Sequence, residues 1–141
     1  MDIRLSNFTL AVHDLDEALG FYGAVLGFET RDDVDAKGVR RVCVSPPSQP
    51  DMRIILEPAG AHPGATPADG QAIADLMTKG LLGRLAFLTD DCDATFERIE
   101  AAGAEVMQEP VNQRSGIRDC AFSDPSGNLV HFIQAPTGAS G

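Results

Sequence analysis

The sequence has no tryptophan, one tyrosine and three cysteines among 141 residues. No indole is therefore available to stack on a ligand, and any aromatic wall must come from the seven Phe and from Tyr22. Cys43, Cys92 and Cys120 are odd in number, far apart and never in Cys-x-x-Cys spacing. They read as reduced, mostly buried thiols in a cytosolic protein, and no activating base beside them marks a catalytic thiol. Positive charge is scarce too. Eleven bases, nine of them Arg, face 21 acids, for a net charge of −10. Such a surface repels phosphate backbones, so nucleic acid is excluded as a partner, and no Lys/Arg cluster suits anionic lipid.

Long apolar runs are absent. The longest are a few residues, against the roughly 20 needed to span a membrane. Met1 to Leu5 carry no basic region followed by an apolar stretch, so no secretory signal is expected. There is no Gly-x-Gly-x-x-Gly, no phosphate-binding loop and no Gly-x-Ser-x-Gly elbow.

What remains is an ordinary globular composition, 43% hydrophobic and 23% charged. A chain of this length is expected to form one domain over 1–141 and to bury roughly 68% of its unfolded surface. Fourteen Gly and nine Pro imply many turns and short elements, which favours strands over a helical bundle.

Along the chain, residues 3–12 alternate Phe8, Leu10 and Val12 with polar or small residues, as a strand does. Asp14 and Glu17 resemble a capping box, and Leu15 to Leu26 carry helical spacing up to a stop at Gly27. Phe28–Val34 and Val39–Val44 read as a hairpin, and Met52–Glu57 as a strand. Residues 59–80 read as a linker with a short helix that Asp69 caps, and the stretch 58–70 as a mobile loop or lid. Then the pattern returns: strand 85–88, helix 91–102, strands 105–109 and 117–123, the turn Asp124-Pro-Ser-Gly-Asn128, and a closing strand 129–134. An offset of 77 places Asp14 on Asp91, Asp16 on Asp93, Cys43 on Cys120 and Asn7 on Arg84. The chain thus reads as an α+β fold of two βαβββ modules in tandem, about 3–58 and 83–135.

Asn7-Phe-Thr-Leu-Ala-Val12, Phe21-Tyr22, Leu26-Gly-Phe28, Gly83-Arg-Leu-Ala-Phe-Leu-Thr-Asp90 and Phe122-Ser-Asp-Pro-Ser-Gly-Asn128 stand in an order that resembles the glyoxalase / bleomycin-resistance / extradiol-dioxygenase group, the vicinal oxygen chelate superfamily. The resemblance covers 3–135 and implies glyoxalase-like modules whose mixed sheets curl around a cup, in a homodimer. The superfamily hosts lyases, dioxygenases and drug-sequestering proteins, so the fold alone does not choose among them.

In its metal-dependent members, four His and Glu ligands come from the first and last strands of each module. The resemblance carries those positions onto Asn7, Arg84 and His131, with either Glu57 or Ile54 as the fourth. Arg84 cannot ligate, because a guanidinium has five donors and no acceptor. Asn7 is a weak donor, and Glu57 lies an odd step from Ile54, so a bulge would be needed to turn it inward. The expectation is a cup without a metal cofactor, which binds an apolar or anionic small molecule. Arg84, His131, Asn7, Arg118 and Glu57 are the candidate contacts. Arg84 and Arg118 suit a carboxylate or enolate, and either could instead be satisfied by a salt bridge. His131 could orient a ligand, act as a base or be a structural residue. The alternative is a lyase or dioxygenase with one divalent ion held by Glu57 and His131.

Overall fold

A computed structural model describes residues 1–36 and 39–136. Two units with the same order of elements follow one another. The first has strand β1 (Asn7–Val12), helix α1 (Leu15–Leu19) running into a π-helical stretch (Gly20–Val25), then β2 (Glu29–Ala36), β3 (Val39–Ser45) and β4 (Arg53–Pro58). Helix α2 (Pro67–Thr78) links it to β5 (Arg84–Leu88), α3 (Cys92–Ala101), β6 (Glu105–Asn112), β7 (Arg118–Ser123) and β8 (Leu129–Gln134). The β2–β3 turn at 37–38 and the tail at 137–141 lie outside the described residues.

Local chemistry sets the boundaries. Asp14 and Asp91 each accept a backbone N–H three residues on, from Glu17 and Ala94, and so cap α1 and α3. The full reciprocal box forms at α2 instead. Thr66, not Asp69, is the cap there, and Asp69 returns the bond from the third helical position. Gly27 and Gly103 stop the helical stretches with φ of 78° and 94°, a conformation that costs glycine nothing.

The strands form two four-stranded sheets, in the orders β1-β4-β3-β2 and β5-β8-β7-β6. In each the first strand lies parallel to the last, and the other pairs are antiparallel. These are the mixed sheets of the tandem α+β architecture. One face of each sheet carries the apolar alternation: Leu10, Val12, Val42, Val44, Ile54 and Leu56 in the first, Leu85, Cys120, Phe122, Val130 and Phe132 in the second. Both sets pack with the helices into one continuous core. The opposite, outer face of each sheet carries Asn7, Thr9, Ile55 and Glu57 in the first and Arg84, Ala86, His131 and Ala121 in the second.

The Asp124–Asn128 turn ties the modules together. Asp124, 3% exposed, accepts from the Tyr22 hydroxyl at 2.7 Å, from the amides of Ser126 and Asn128 at 2.8 and 2.9 Å, and from Asn128 Nδ2 at 2.9 Å. Asn128 Nδ2 also donates to the Ala11 carbonyl on β1, and Ser126 Oγ accepts from the His13 amide. Gly127 approaches the Met77 carbonyl so closely that a Cβ has no room there. The turn motif is thus the seam between the two halves.

Candidate functional site

Register decides which side chains share a face. In the first sheet, Thr9 pairs with Ile55 and Asn7 with Arg53; in the second, Ala86 pairs with His131 and Arg84 with Leu129. Matching the two ladders puts His131 on Ile55, an offset of 76, and neither Ile54 nor Glu57 is its counterpart. Ile54 points into the core at 1% exposure. Glu57, two residues from Ile55, faces outward with no bulge required. The thiol pairing is corrected as well. Val42 pairs with Leu56 and Cys120 with Phe132, so Val42 is the partner of Cys120 in the repeat, while Cys43 sits opposite Ile55 on the outer face.

The outer face of the second sheet is the richer one. Arg84, Ala86 and Leu88 on β5, His131 and Ile133 on β8, and Asp119 and Ala121 on β7 share it by parity. His131 is half-buried and lies between Ala86 and Ala121. Arg84 is exposed and absent from the ion pairs among the described residues. Gln108 steadies Asp119 by donating to its carboxylate at 2.7 Å and to its carbonyl at 3.2 Å, and Gln113 adds a bond at 3.0 Å. Sequence reading missed Gln108, because a shift in the β6–β7 register hides its alignment with Ala121.

Arg118 does not join this face. It lies on the helix side and clasps Asp93 of α3 through two bonds of 2.9 Å, with a third to Asn112. This is the salt-bridge alternative for Arg118, and strand alternation sends its side chain away from the neighbouring Asp119. Arg118 holds the Asp93 carboxyl below its usual range, and Asp93 raises the guanidinium in turn. The same device stands in the first module, where Arg40 reaches Asp16 at 3.0 Å while also clasping Asp33. Arg118 is a repeated structural clamp from strand to helix.

Asn7 and Glu57 lie on the first sheet's outer face, apart from Arg84 and His131. Asn7 is exposed, and its side-chain amide donates to Ser6 Oγ at 3.2 Å. Glu57 is nearly buried and forms an ion pair with Arg41, Nε to carboxylate oxygen 3.1 Å. It borders a cavity of about 610 Å³ with Thr9, Arg41, His62 and Ile73. The 58–70 stretch walls that cavity through Pro58 to Pro63, and α2 takes over from Pro67.

The four positions that register assigns to the first and last strands are Asn7, Ile55, Arg84 and His131. One imidazole, one amide, one alkyl chain and one guanidinium do not make a donor set for a divalent ion. Among the described residues no three His, Cys, Asp or Glu side chains gather in a metal-holding group. Nor is a thiol poised to react: burial pushes Cys43 and Cys92 up, and Cys120 up to about 12.

A groove runs along β5. Two cavities, of about 930 and 670 Å³, both border Pro46, Gln49, Ala86 and Phe87. Phe28, Phe87 and Phe132 form an aromatic wall, with ring centroids 5.2 and 5.8 Å apart. Arg84 stands at the larger cavity and Arg98 at the smaller, though Arg98 is spent on the Val25 and Leu26 carbonyls.

A chain with these paired units, this seam and these open faces falls among the glyoxalase-fold proteins. The family model of the Glyoxalase/Bleomycin resistance protein/Dioxygenase superfamily matches residues 4–132, and the chain belongs to that superfamily. The solved structure of UcmS2 is 33% identical, with a TM-score of 0.87 over 96% of this chain and 100% of that one. TnmS3 from Streptomyces sp. CB03234, described as an antibiotic binding protein, is 27% identical with a TM-score of 0.73 over 95% of this chain and 97% of its own. A "Probable lactoylglutathione lyase" of Vibrio parahaemolyticus is 30% identical over 98% of this chain and 95% of its own length. No helix among the described residues is long and apolar enough to cross a membrane.

Proposed function

We propose that this protein binds, without a metal ion, a small organic molecule that carries a carboxylate or similar anionic oxygen on an apolar or aromatic body, and that it sequesters that molecule. The observation that carries this reading is Arg84: an unpaired guanidinium at a position where a metal ligand is required, on one face with His131 and beside an aromatic groove. Arg84 supplies the charge-assisted bonds, and His131 supplies one orienting donor or acceptor. The likeness to an antibiotic binding protein supports binding over turnover. The protein acts as a cytosolic homodimer. Leu88, 83% exposed on the outer face, and the separation of Asn7 and Glu57 from Arg84 and His131 both favour a second copy that completes the site. Light scattering coupled to gel filtration checks the dimer.

The test uses 2-naphthoate as probe, titrated by calorimetry. Arg84→Ala should cost about 1.5–3 kcal/mol, roughly ten- to a hundredfold in affinity, for loss of a charge-assisted bond. Unchanged affinity sinks the assignment. A second reading, a lyase or dioxygenase with one divalent ion, is favoured by the likeness to the Vibrio parahaemolyticus protein. It predicts stoichiometric metal by mass spectrometry and a rise of several degrees in Tm with one added ion.

A further inference from the structure

Two carboxylates are buried among the described residues, Asp124 and Glu57, and they are served very differently. Asp124 takes four donated bonds at the seam. The less buried Asp119 accepts from two glutamine side chains. Glu57, 8% exposed, has only the Arg41 guanidinium beside one of its oxygens, and no hydrogen bond from a described residue reaches either oxygen. Arg41 stands half-exposed and balances the charge, but it leaves the carboxylate short of donors. A buried carboxylate in that condition needs an explanation.

The explanation lies in what the carboxylate faces. It borders the cavity of about 610 Å³, a size within the roughly 300–1,000 Å³ of small-molecule sites. Two further acceptors border the same cavity, the Thr9 hydroxyl and His62. His62 Nδ1 lies 2.7 Å from the Pro63 carbonyl, which only accepts, so Nδ1 carries the hydrogen and Nε2 is left as an acceptor. Pro63, Ile73 and Leu82 supply apolar wall. The fold fixes that wall. The Ala59 amide donates to the Val12 carbonyl, and the Ala61 amide to the Pro58 carbonyl. Gly70 of α2 lies so near Gly60 that a Cβ on it would meet the Gly60 Cα at 3.0 Å, and the fully buried Met77 pins the far end of the helix. Every one of these groups belongs to one chain, so the cavity needs no free sheet edge.

We propose that this cavity binds the protonated primary amine of a small molecule with an apolar body, and that Glu57 is its anchor. A primary ammonium carries three N–H donors and no acceptor, which suits three acceptors on one cavity. Its bond to Glu57 is charge-assisted, and Ile73 and Leu82 take the apolar body. The net charge of −10 favours the approach of a cation. A neutral alcohol brings one donor and no charge, and an anion meets a carboxylate. The proposal goes beyond the Arg84 reading, which concerns the face of the other sheet.

The experiment titrates 2-naphthylmethylamine, protonated at neutral pH, into the ¹⁵N-labelled protein to about 10 mM, where a millimolar affinity is visible. The amide resonances of Glu57, Ala59 and Ile73 should shift. 2-Naphthylmethanol, with the same body and one neutral donor, should bind about tenfold more weakly or less. Glu57→Gln should weaken the amine about ten- to a hundredfold, for loss of a charge-assisted bond. It should not lower Tm, because it removes a buried charge that lacks donors and leaves Arg41 half-exposed. A merely structural ion pair predicts the reverse, a fall in Tm with the amine affinity unchanged. Ile73→Lys puts an ammonium on the cavity's own wall and should abolish amine binding; it asks the same question if Glu57→Gln fails to fold. No shift at these amides, equal binding of amine and alcohol, or an affinity that neither variant lowers overturns the proposal. Amine bound without 2-naphthoate overturns the Arg84 reading and spares this one; the converse does the opposite.

Discussion

Tyr22→Phe should loosen the joint between the modules by a predictable amount. The Tyr22 hydroxyl donates at 2.7 Å to a carboxylate that is 3% exposed. Bonds to charged groups contribute about 1.5–3 kcal/mol, so the variant should lose about that much stability. For a domain of this size each kcal/mol moves Tm by about 2–4 °C, which gives a fall of roughly 3–12 °C. Asp124→Ala should cost more, roughly 3–6 kcal/mol, because it orphans the Tyr22 hydroxyl, the Ser126 and Asn128 amides and one bond of Asn128 Nδ2. The informative quantity is the coupling. Once Asp124 is gone, Tyr22 buries a hydroxyl without its acceptor, so Tyr22→Phe should be neutral or stabilising in that background. Urea unfolding followed by far-UV circular dichroism, at one fixed protein concentration, measures all four corners of the cycle. Additive losses, with no coupling beyond about 0.5 kcal/mol, would refute the joint as drawn.

Tyr22 also sets the alkaline limit. Burial, then the charge of Asp124 and its hydrogen bond, push the phenol far above its ordinary value near 10. The folded state therefore holds the proton more tightly than the unfolded chain. The stabilisation is complete below pH 10 and declines as pH rises above it. As the sole tyrosine, it should give no tyrosinate absorbance at 295 nm until the chain unfolds; a smooth titration near pH 10 in folded protein contradicts the burial. On the acid side, Arg118 holds Asp93 low, so that stabilisation is present above the ordinary carboxylate range and lost as pH falls through the depressed value. Arg118→Gln should flatten the acid limb of stability against pH, measured by urea midpoints from pH 5 downward, and leave 2-naphthoate affinity unchanged. A loss of affinity would restore Arg118 to the ligand contacts.

The tandem architecture was legible because turn and cap chemistry is local. Asp14 and Asp91 before apolar-periodic runs, Gly27 and Gly103 after them, and the Asp-Pro-Ser-Gly-Asn turn all act within a few residues. The site was less legible because it depends on strand register, which is not local. A uniform offset of 77 moves every assignment on the later strands by one residue, and one residue is a change of face. That is how Glu57 came to need a bulge it does not have, and how Cys43 was matched to Cys120 across opposite sides of a sheet. For Arg118 the salt-bridge alternative holds, but its partner was not legible: alternation turns it from the neighbouring Asp119, and helix α3 brings Asp93 to it.

The same physics explains why two copies of one unit diverge in use. Each βαβββ unit leaves its first strand at a sheet edge, with alternate backbone groups unpaired. The closing turn of the second module lies against the first module, and Asn128 Nδ2 donates to the Ala11 carbonyl at the end of the β1 edge. Among the described residues no equivalent side-chain bond reaches the β5 edge. Arg84 begins that strand, and its counterpart Asn7 begins β1. If Arg84 served only to discourage strand pairing, Arg84→Lys and Arg84→Ala should both bind 2-naphthoate as the native protein does. A binding role predicts partial retention, because an ammonium keeps the charge and loses only the two-pronged geometry.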